Sequence, residues 1–498
     1  MESESIPSRY ERKKDMFSER EKIILGVIVV LYFLFLFGVS LFISRKIKTY
    51  DDYNVAGRTV SIYPLILTFV GTAIGGSTLL GYMENGYRFG MGQQWLNLGT
   101  LFTGSLMALF ILKRIRKFGE KYNMVTIGDF TALRYGEKAR VPTVISILVA
   151  YCAITGMQFV AIATILNLTL GLSMIKGILV GWILLTLKTY FGGLKAVIWQ
   201  DALHGTIQTV GIATLFVIVF IAVGNWGDLS VKAKLSDGSN MLNVFNISIG
   251  EIFVYVLTIG GYQFVRQDLW QRFWAAKDIK TATKGYWTSI ILSFVIGAFV
   301  IMIGVLGNVG LNLKNINPTL VYYEVIGSLL PFPMIIVMII ALLATVISTA
   351  DSFFIAGASS IVNDIIKPKV KKVTNKKMLL YSRLSVAIVS IIALLLALYI
   401  PQLVSLWVAG TAMLVSGLLA PVLFGLFWKR ATKEAGVLSM WTGLIVAVIW
   451  QIAGHPLGLH PVFIGLPLSI FVLVIVSLFV TSNKSFNLLK KMDRSVGD

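Results

Sequence analysis

Five polar residues cluster within the apolar stretch 332–362. At helical spacing, four hydroxyl side chains lie along one stripe and a carboxylate lies beside them. Hydroxyl groups in helices often bond to carbonyls of the preceding turn or join neighbouring helices, but five polar residues within eight positions favour a binding site. A small, hard cation needs several oxygen ligands when it sheds its water, so the pattern points to sodium. The cluster consists of Thr345, Ser348, Thr349, Asp351 and Ser352.

A second apolar stretch, 60–82, is long enough to cross a bilayer but carries helix-weakening glycines near its middle. Carbonyls freed by unwinding cannot be satisfied by lipid, so they must face protein, water, an ion or a solute. A further pair, Gly260-Gly261, lies within the stretch 249–270. Two interrupted helices in matching halves of a chain are typical of the binding site of a secondary transporter. The glycines of the first stretch are Gly71, Gly75 and Gly76.

The composition predicts an all-α integral membrane protein. The chain has 498 residues, of which 56% are hydrophobic and 14% are charged, and this is more apolar surface than a soluble core can hide. Apolar runs of about twenty residues recur about thirteen times, each long enough for a transmembrane helix. The runs are 23–43, 60–82, 92–112, 143–170, 174–191, 197–223, 249–270, 286–309, 332–362, 379–399, 403–427, 436–454 and 462–480.

The order of these runs predicts a domain organisation. Two sets of five helices follow one leading helix, and each set opens with an interrupted helix. Because each set has an odd number of helices, the second must be inverted relative to the first. The expected divisions are a polar tail (1–22), the leading helix (23–43), the first repeat (60–223), the second repeat (249–427), the trailing helices (436–480) and a basic cytoplasmic tail (481–498).

The net charge of +20 comes largely from connectors on one side of the predicted membrane, chiefly 113–140, 367–377 and 429–433. The positive-inside rule makes that side cytoplasmic, which predicts a multi-pass plasma membrane (cell inner membrane) protein with its N-terminus outside and its C-terminus in the cytoplasm. The basic tail before the first helix opposes this orientation. We expect membrane lipid as a partner, no nucleic acid and no obligate protein partner.

Other functional classes fit the sequence less well. The three histidines have no metal-ligand spacing with cysteine or acidic residues, so we expect no enzyme. A solute-sensing receptor would need a partner protein for signalling, and a channel would conduct without saturation. Asp201 lies near the predicted start of its helix, where a carboxylate complements the helix dipole or binds a cation or proton.

Several segments together resemble the sodium:solute symporter family, in order from about residue 45 to residue 430. The resemblance implies a LeuT-like 5+5 inverted-repeat fold with discontinuous first and sixth core helices. It also implies sodium-coupled uptake of a small polar organic solute by alternating access; a proton-coupled carrier of the same fold remains open. The segments are Asp51-Asp52-Tyr53 to Gly57, Gly71 to Gly86, Gly128-Asp129-Phe130 to Gly136, Gly192-Gly193-Leu194 to Asp201, Gln271-Arg272-Phe273-Trp274 to Lys277, and Ser348-Thr349-Ala350-Asp351-Ser352.

The resemblance also implies ion sites. Some members have a second sodium site, but the match here has a glycine where those members offer a hydroxyl and an aspartate where they have a serine. A second sodium, a proton and no ion therefore all remain open. The implied main sodium site comprises the backbone oxygens of Gly71, Ile74 and Thr345 and the hydroxyls of Ser348 and Thr349. The implied second site comprises Asp201, Asp351, Ser352 and Gly75.

The expected solute pocket lies between the two interruptions. Sugar is disfavoured because the glutamine and glutamate of sugar carriers are missing, and choline because Ala73 and Arg266 replace tryptophans that cage its cation. Arg266 either pairs with a carboxylate on the solute or is the first cytoplasmic charge after its helix. Positions implied by the resemblance are Ala73, Thr78, Asn97 and Thr100; further candidates are Gln158, Tyr262, Gln263, Arg266 and Trp95.

Overall fold

The computed structural model describes residues 17–224, 227, 229–231, 240–370, 374–399 and 403–480. Ten helices in this part of the chain are long and apolar enough to cross a membrane, which confirms the prediction of an all-α membrane protein. Residues 1–16 of the predicted polar tail (1–22), the predicted tail 481–498, and the connector residues 371–373 and 400–402 lie outside the described residues.

The helices follow one another with short connections. A π-helical turn, Met107–Ile111, joins α5 to α6, so these two run on as one long helix. In chain order, the helices are α1 (Glu19–Ser44), α2 (Tyr50–Val55), α3 (Ile62–Ala73), α4 (Gly76–Phe89), α5 (Gln94–Leu106), α6 (Leu112–Tyr122), α7 (Ile127–Tyr135), α8 (Arg140–Leu170), α9 (Met174–Val223), α10 (Ile249–Tyr255), α11 (Gln267–Ala275), α12 (Ile279–Val309), α13 (Val321–Leu329), α14 (Phe332–Ser360), α15 (Asn375–Tyr399), α16 (Leu403–Phe427), α17 (Lys433–Ile452) and α18 (Val462–Phe479).

Helix α9 contains two of the predicted runs, 174–191 and 197–223. They meet at Gly193, whose φ of 56° and ψ of −178° are not helical. A side chain at this position would also collide with Tyr53, since a Cβ would lie 2.6 Å from its ring. The glycine therefore makes a sharp corner between two spans in place of the expected connector.

The first interruption lies where the glycines predict it. Helix α3 ends at Ala73 and α4 begins at Gly76, with Ile74 at φ −104° and ψ 72° and Gly75 at φ −72° and ψ 171° between them. Gly75 is extended and Ile74 is also not helical, so the hydrogen-bond ladder stops in the middle of the span.

The second interruption is five residues further along than predicted. Gly261 is helical, with φ −60° and ψ −33°, and the chain becomes extended only at Arg266, with φ −73° and ψ 108°. The glycine pair serves close packing instead, because a Cβ on Gly260 would lie 2.9 Å from Thr103 of α5. The sixth core helix is therefore discontinuous as predicted, but Gly260-Gly261 was the wrong place for the break.

Helix α14 lies at the centre of the bundle. It packs against α3, α4, α8 and α9, and every residue from Ala341 to Ser360 is buried. Large apolar side chains are exposed on peripheral helices, for example Leu31 on α1 at 58% and Ile388 on α15 at 48%. In a membrane these faces contact lipid, so the polar residues of α14 lie far from it.

Candidate ion and solute site

The hydroxyl stripe of α14 contacts the interruption between α3 and α4. A Cβ on Gly71 would lie 2.7 Å from Ser348 Oγ, and a Cβ on Gly75 would lie 2.6 Å from Thr349 Oγ1. Real Cβ atoms do not approach so closely, so only glycine at these two positions lets the helices come this near.

Oxygens from both segments converge at this contact. The Thr349 hydroxyl lies 3.4 Å from the Gly71 carbonyl and 3.1 Å from the Thr345 carbonyl. Ile74, whose carbonyl accepts from Gln208 Nε2 at 2.9 Å, is the first residue of the unwound segment. Carbonyl and hydroxyl oxygens are suitable ligands for a small hard ion. The predicted sodium residues are thus neighbours, and Gln208 is a residue that sequence analysis missed.

Asp201 is buried beside this contact. Its carboxylate accepts hydrogen bonds from the hydroxyls of Ser348 at 2.6 Å and Thr68 at 2.5 Å. Arg272 Nη2 lies 3.4 Å from the same carboxylate and donates to Ser352 Oγ at 2.5 Å. Asp201 and Ser352, two members of the predicted second site, therefore share an arginine.

Asp351 has a different set of partners. Lys188 of α9 forms an ion pair with it, and the Thr189 hydroxyl donates to its other oxygen. Gly75 faces Thr349 instead. The four residues of the predicted second site therefore do not share one contact in the structure. Lys188 was missed, although a lysine inside an apolar run is in itself a sign of a functional site.

A cavity of about 80 Å³ lies between the two interruptions. Seven of the predicted solute residues line it, together with Phe69, Tyr286, Phe353 and Trp407. Gln158 lies outside this lining and donates to the Ile154 carbonyl, while Trp95 donates to the Val244 carbonyl. The seven are Ala73, Thr78, Asn97, Thr100, Tyr262, Gln263 and Arg266.

Arg266 is not a charge at the cytoplasmic surface, which was one of its two predicted roles. It is 4% exposed and forms a two-pronged ion pair with Asp268, with Nη2 at 2.6 Å and Nε at 3.2 Å from the carboxylate oxygens. The Tyr151 hydroxyl donates to the same carboxylate at 2.8 Å. Arg266 is the member of this network that lines the cavity, at the point where the sixth core helix is interrupted.

The substitution Asp268→Asn is expected to destabilise the fold strongly. It removes the charge that compensates Arg266, and losing one partner of a buried ion pair costs about 3–5 kcal/mol. The measurement is the unfolding temperature of purified protein in detergent. Glu84→Gln, at the more exposed pair with Arg88, is the matched control and should change stability by less than about 1 kcal/mol. If both variants lowered the unfolding temperature by the same amount, a structural role for the buried pair would be contradicted.

A family model and relatives of known function match most of this chain. The model of the Sodium:solute symporter family matches residues 53–443. The high-affinity proline transporter PutP of Bacillus subtilis (strain 168) is 28% identical over 460 residues, covering 88% of this chain and 95% of that protein. The sodium/proline symporter of Escherichia coli (strain K12) is 26% identical over 465 residues, covering 88% and 90%.

Solved structures show the same fold. The substrate-bound, outward-open structure of a Na+-coupled sialic acid symporter superposes with a TM-score of 0.79 at 17% identity, covering 92% of this chain and 98% of that one. Mhp1, a nucleobase-cation-symport-1 family transporter, gives a TM-score of 0.56 at 14% identity, covering 89% and 95%. The architecture is therefore the LeuT fold.

Proposed function

Because this chain belongs to the sodium:solute symporter family, and is therefore a sodium-coupled membrane symporter of a small organic solute, we propose that its solute is a small zwitterionic amino acid, with proline as the first candidate. The observation that carries the proposal is that two relatives matching 88% of this chain are named as proline carriers. The cavity between the interrupted helices is the proposed binding site.

The size of the cavity supports a small solute. Its volume is about 80 Å³, and one water molecule needs roughly 10–15 Å³ of such space. The cavity therefore has room for several water-sized groups, which suits a small solute. Phe69, Phe353 and Trp407 supply an apolar wall for its ring or side chain.

The cavity also offers partners for both charges of a zwitterion. Gly75 and Thr78, at the start of α4, line it, and the positive end of a helix attracts a carboxylate. Tyr286 also lines the cavity, and its hydroxyl has no hydrogen-bond partner among the described residues. That hydroxyl can accept a hydrogen bond from the solute's amine. Arg266 is already paired with Asp268, so we assign the carboxylate of the solute to the start of α4.

In the proposed cycle, sodium binds first, where Gly71, Ile74 and Thr345 meet the hydroxyls of Ser348 and Thr349. It orders the unwound segment that also lines the solute cavity, and so raises the affinity for the solute. Such coupling is reciprocal, because each ligand stabilises the arrangement that binds the other. The membrane potential adds about 2.3 kcal/mol per transported charge per 100 mV.

We place the protein in the plasma membrane, with the basic connectors in the cytoplasm, the N-terminus outside and the C-terminus inside. The support is the excess of lysine and arginine in 113–140, 367–377 and 429–433. The two proposed repeats, 60–223 and 249–427, contain α3 to α9 and α10 to α16, and each begins with the interrupted helix that lines the solute cavity.

Proline counterflow in proteoliposomes is the test of the proposed solute. Vesicles loaded with unlabelled proline should accumulate labelled external proline when sodium is present, and a tenfold excess of sugar or choline should not compete. If labelled proline did not accumulate but a labelled sugar or monocarboxylate did in the same assay, the proposal would be contradicted. Uptake driven by a pH gradient without sodium would favour the proton-coupled alternative, and binding without counterflow would favour a receptor.

A further inference from the structure

A groove of about 510 Å³ lies between α1 and the part of α9 that follows the corner at Gly193. Gln200 fixes the two helices against each other along it, because its Nε2 donates to the Leu36 carbonyl at 3.0 Å and to Ser40 Oγ at 3.4 Å. The groove is therefore formed by the packing of the fold itself. Its apolar wall includes Phe35, Val39, Phe42, Ile43, Trp199 and Leu203.

Two lysines, Lys46 and Lys195, line the same end of this groove. Lys195 Nζ lies 3.6 Å from Asp52, whose carboxylate also accepts from the backbone N–H of Lys48, close to Lys46 in the chain. The ammonium of Lys46 lies 4.9 Å from the centre of the Phe42 ring and has no acidic partner in the part of the chain that the structure describes. Residues 45–61 carry four cations and two acids, so this end of the groove is positive.

A smaller polar pocket adjoins the positive end. It has a volume of about 80 Å³, and Lys195 and Trp199 line both the pocket and the groove. Thr59 and Ser61 also line it, at the start of α3. The Ser61 hydroxyl does not cap this helix, so it can donate to a ligand. An anion in the pocket would face a lysine, a hydroxyl and the positive end of a helix dipole.

A phospholipid matches the groove in length as well as in charge. Helix α1 lines it from Phe35 to Ile43, which is about 12 Å at a rise of about 1.5 Å per residue. One leaflet of hydrocarbon is about 15 Å thick, half of the bilayer core. Trp199 is exposed beside the lysines, and tryptophan is typical of the membrane–water interface.

A second groove shows what the lysines add. It lies along α18, has a volume of about 520 Å³ and is lined, within the described residues, by apolar side chains alone, among them Val462, Leu466 and Ile470. Such a groove contacts acyl chains but has no group that distinguishes one lipid headgroup from another. The groove between α1 and α9 combines an apolar wall of the same kind with a positive end.

We propose that the groove between α1 and α9 binds one anionic phospholipid, with its acyl chains along the apolar wall and its phosphate between Lys46, Lys195 and the start of α3. The choice of leaflet rests on the proposed orientation, which places the lysines at the cytoplasmic surface, where anionic lipids attract basic residues. The bound lipid would stabilise the packing of α1 against α9 and of α3, the helix that leads to the proposed sodium site at Gly71.

The first test compares two lipids. Purified full-length protein in detergent is titrated with phosphatidylglycerol or phosphatidylcholine, and the rise in unfolding temperature measures binding. Each lysine near an anionic headgroup favours binding about fivefold, so phosphatidylglycerol should act at a concentration about 5-fold to 25-fold lower. Glycerol 3-phosphate should not stabilise the protein, because it has no acyl chain. Equal effects of the two lipids, or equal stabilisation by glycerol 3-phosphate, would overturn the proposal.

The second test removes the two charges. Lys46→Gln combined with Lys195→Gln should bind both lipids equally. The matched control is Lys280→Gln combined with Lys284→Gln, two exposed lysines in the first turns of α12, and it should keep the preference for phosphatidylglycerol. A preference that survived in the first variant would mean that these lysines do not bind the headgroup, and the proposal would fail.

The third test fills the apolar wall. Val39→Trp should remove the stabilisation by phosphatidylglycerol, whereas Ile470→Trp, in the uncharged groove, should keep it. Wild-type stabilisation in Val39→Trp would contradict binding of the acyl chains in this groove. The comparison of two lipids on the wild-type protein decides the question even where a variant does not fold. None of these measurements needs sodium or solute, so their failure would leave the proposed transport function intact.

Discussion

The double substitution Ser348→Ala and Thr349→Ala is expected to abolish sodium-stimulated uptake while leaving the protein folded in the membrane. It removes both side-chain oxygens of the proposed sodium site, and the remaining carbonyls are too few to replace the water that a hard cation sheds. Uptake should fall to the level seen without sodium. The measurement is solute uptake into proteoliposomes over a range of sodium concentrations.

The fold should tolerate this change because Asp201 keeps its other partners, Thr68 and Arg272. A matched control replaces two buried serine hydroxyls elsewhere, Ser439 and Ser469, which lie 2.8 Å apart between α17 and α18. The control should keep full sodium stimulation. If the double variant at the stripe also kept it, the assignment of the sodium site would be wrong.

Gly75→Ala is expected to weaken sodium binding about 5-fold to 150-fold, the range that corresponds to 1–3 kcal/mol. The backbone at Gly75, with φ −72° and ψ 171°, accepts alanine, so the effect is steric. The added methyl would lie 2.6 Å from Thr349 Oγ1 and 2.9 Å from its Cγ2. Overpacking of this kind costs about 1–3 kcal/mol and moves the hydroxyl away from its neighbours. Sodium-dependent thermal stabilisation of the purified protein measures the affinity.

The control for this variant is Gly38→Ala, because no atom lies within 4 Å of a Cβ at Gly38 in α1. A second variant tests the cause: adding Thr349→Ser to Gly75→Ala removes Cγ2 but keeps the hydroxyl, so part of the sodium affinity should return. Unchanged affinity in Gly75→Ala alone would show that the close contact between the interruption and α14 does not shape the ion site.

The sequence was sufficient to predict properties that depend on residues close to one another along the chain. Apolar runs of spanning length predict the membrane fold, which the structure and comparisons confirm. Glycines predict the first interruption, observed at Ile74 and Gly75. The Gly260-Gly261 pair predicted the second interruption at the wrong position, because Gly260 packs closely against Thr103. A sequence does not distinguish a glycine that permits a close contact from one that ends a helix.

The ion pairs depend on tertiary structure. Lys188 meets Asp351 and Arg272 meets Asp201 only because α9, α11 and α14 pack together in the folded bundle. Helical spacing determines which residues share a face over a few turns, so it grouped the hydroxyls of α14 correctly. Helical spacing does not show which distant helix supplies the cation that pairs with a buried carboxylate. The sequence by itself therefore predicted which hydroxyl oxygens could form an ion site, and only the packing of helices decided which of the buried polar groups contact the chain's own cations.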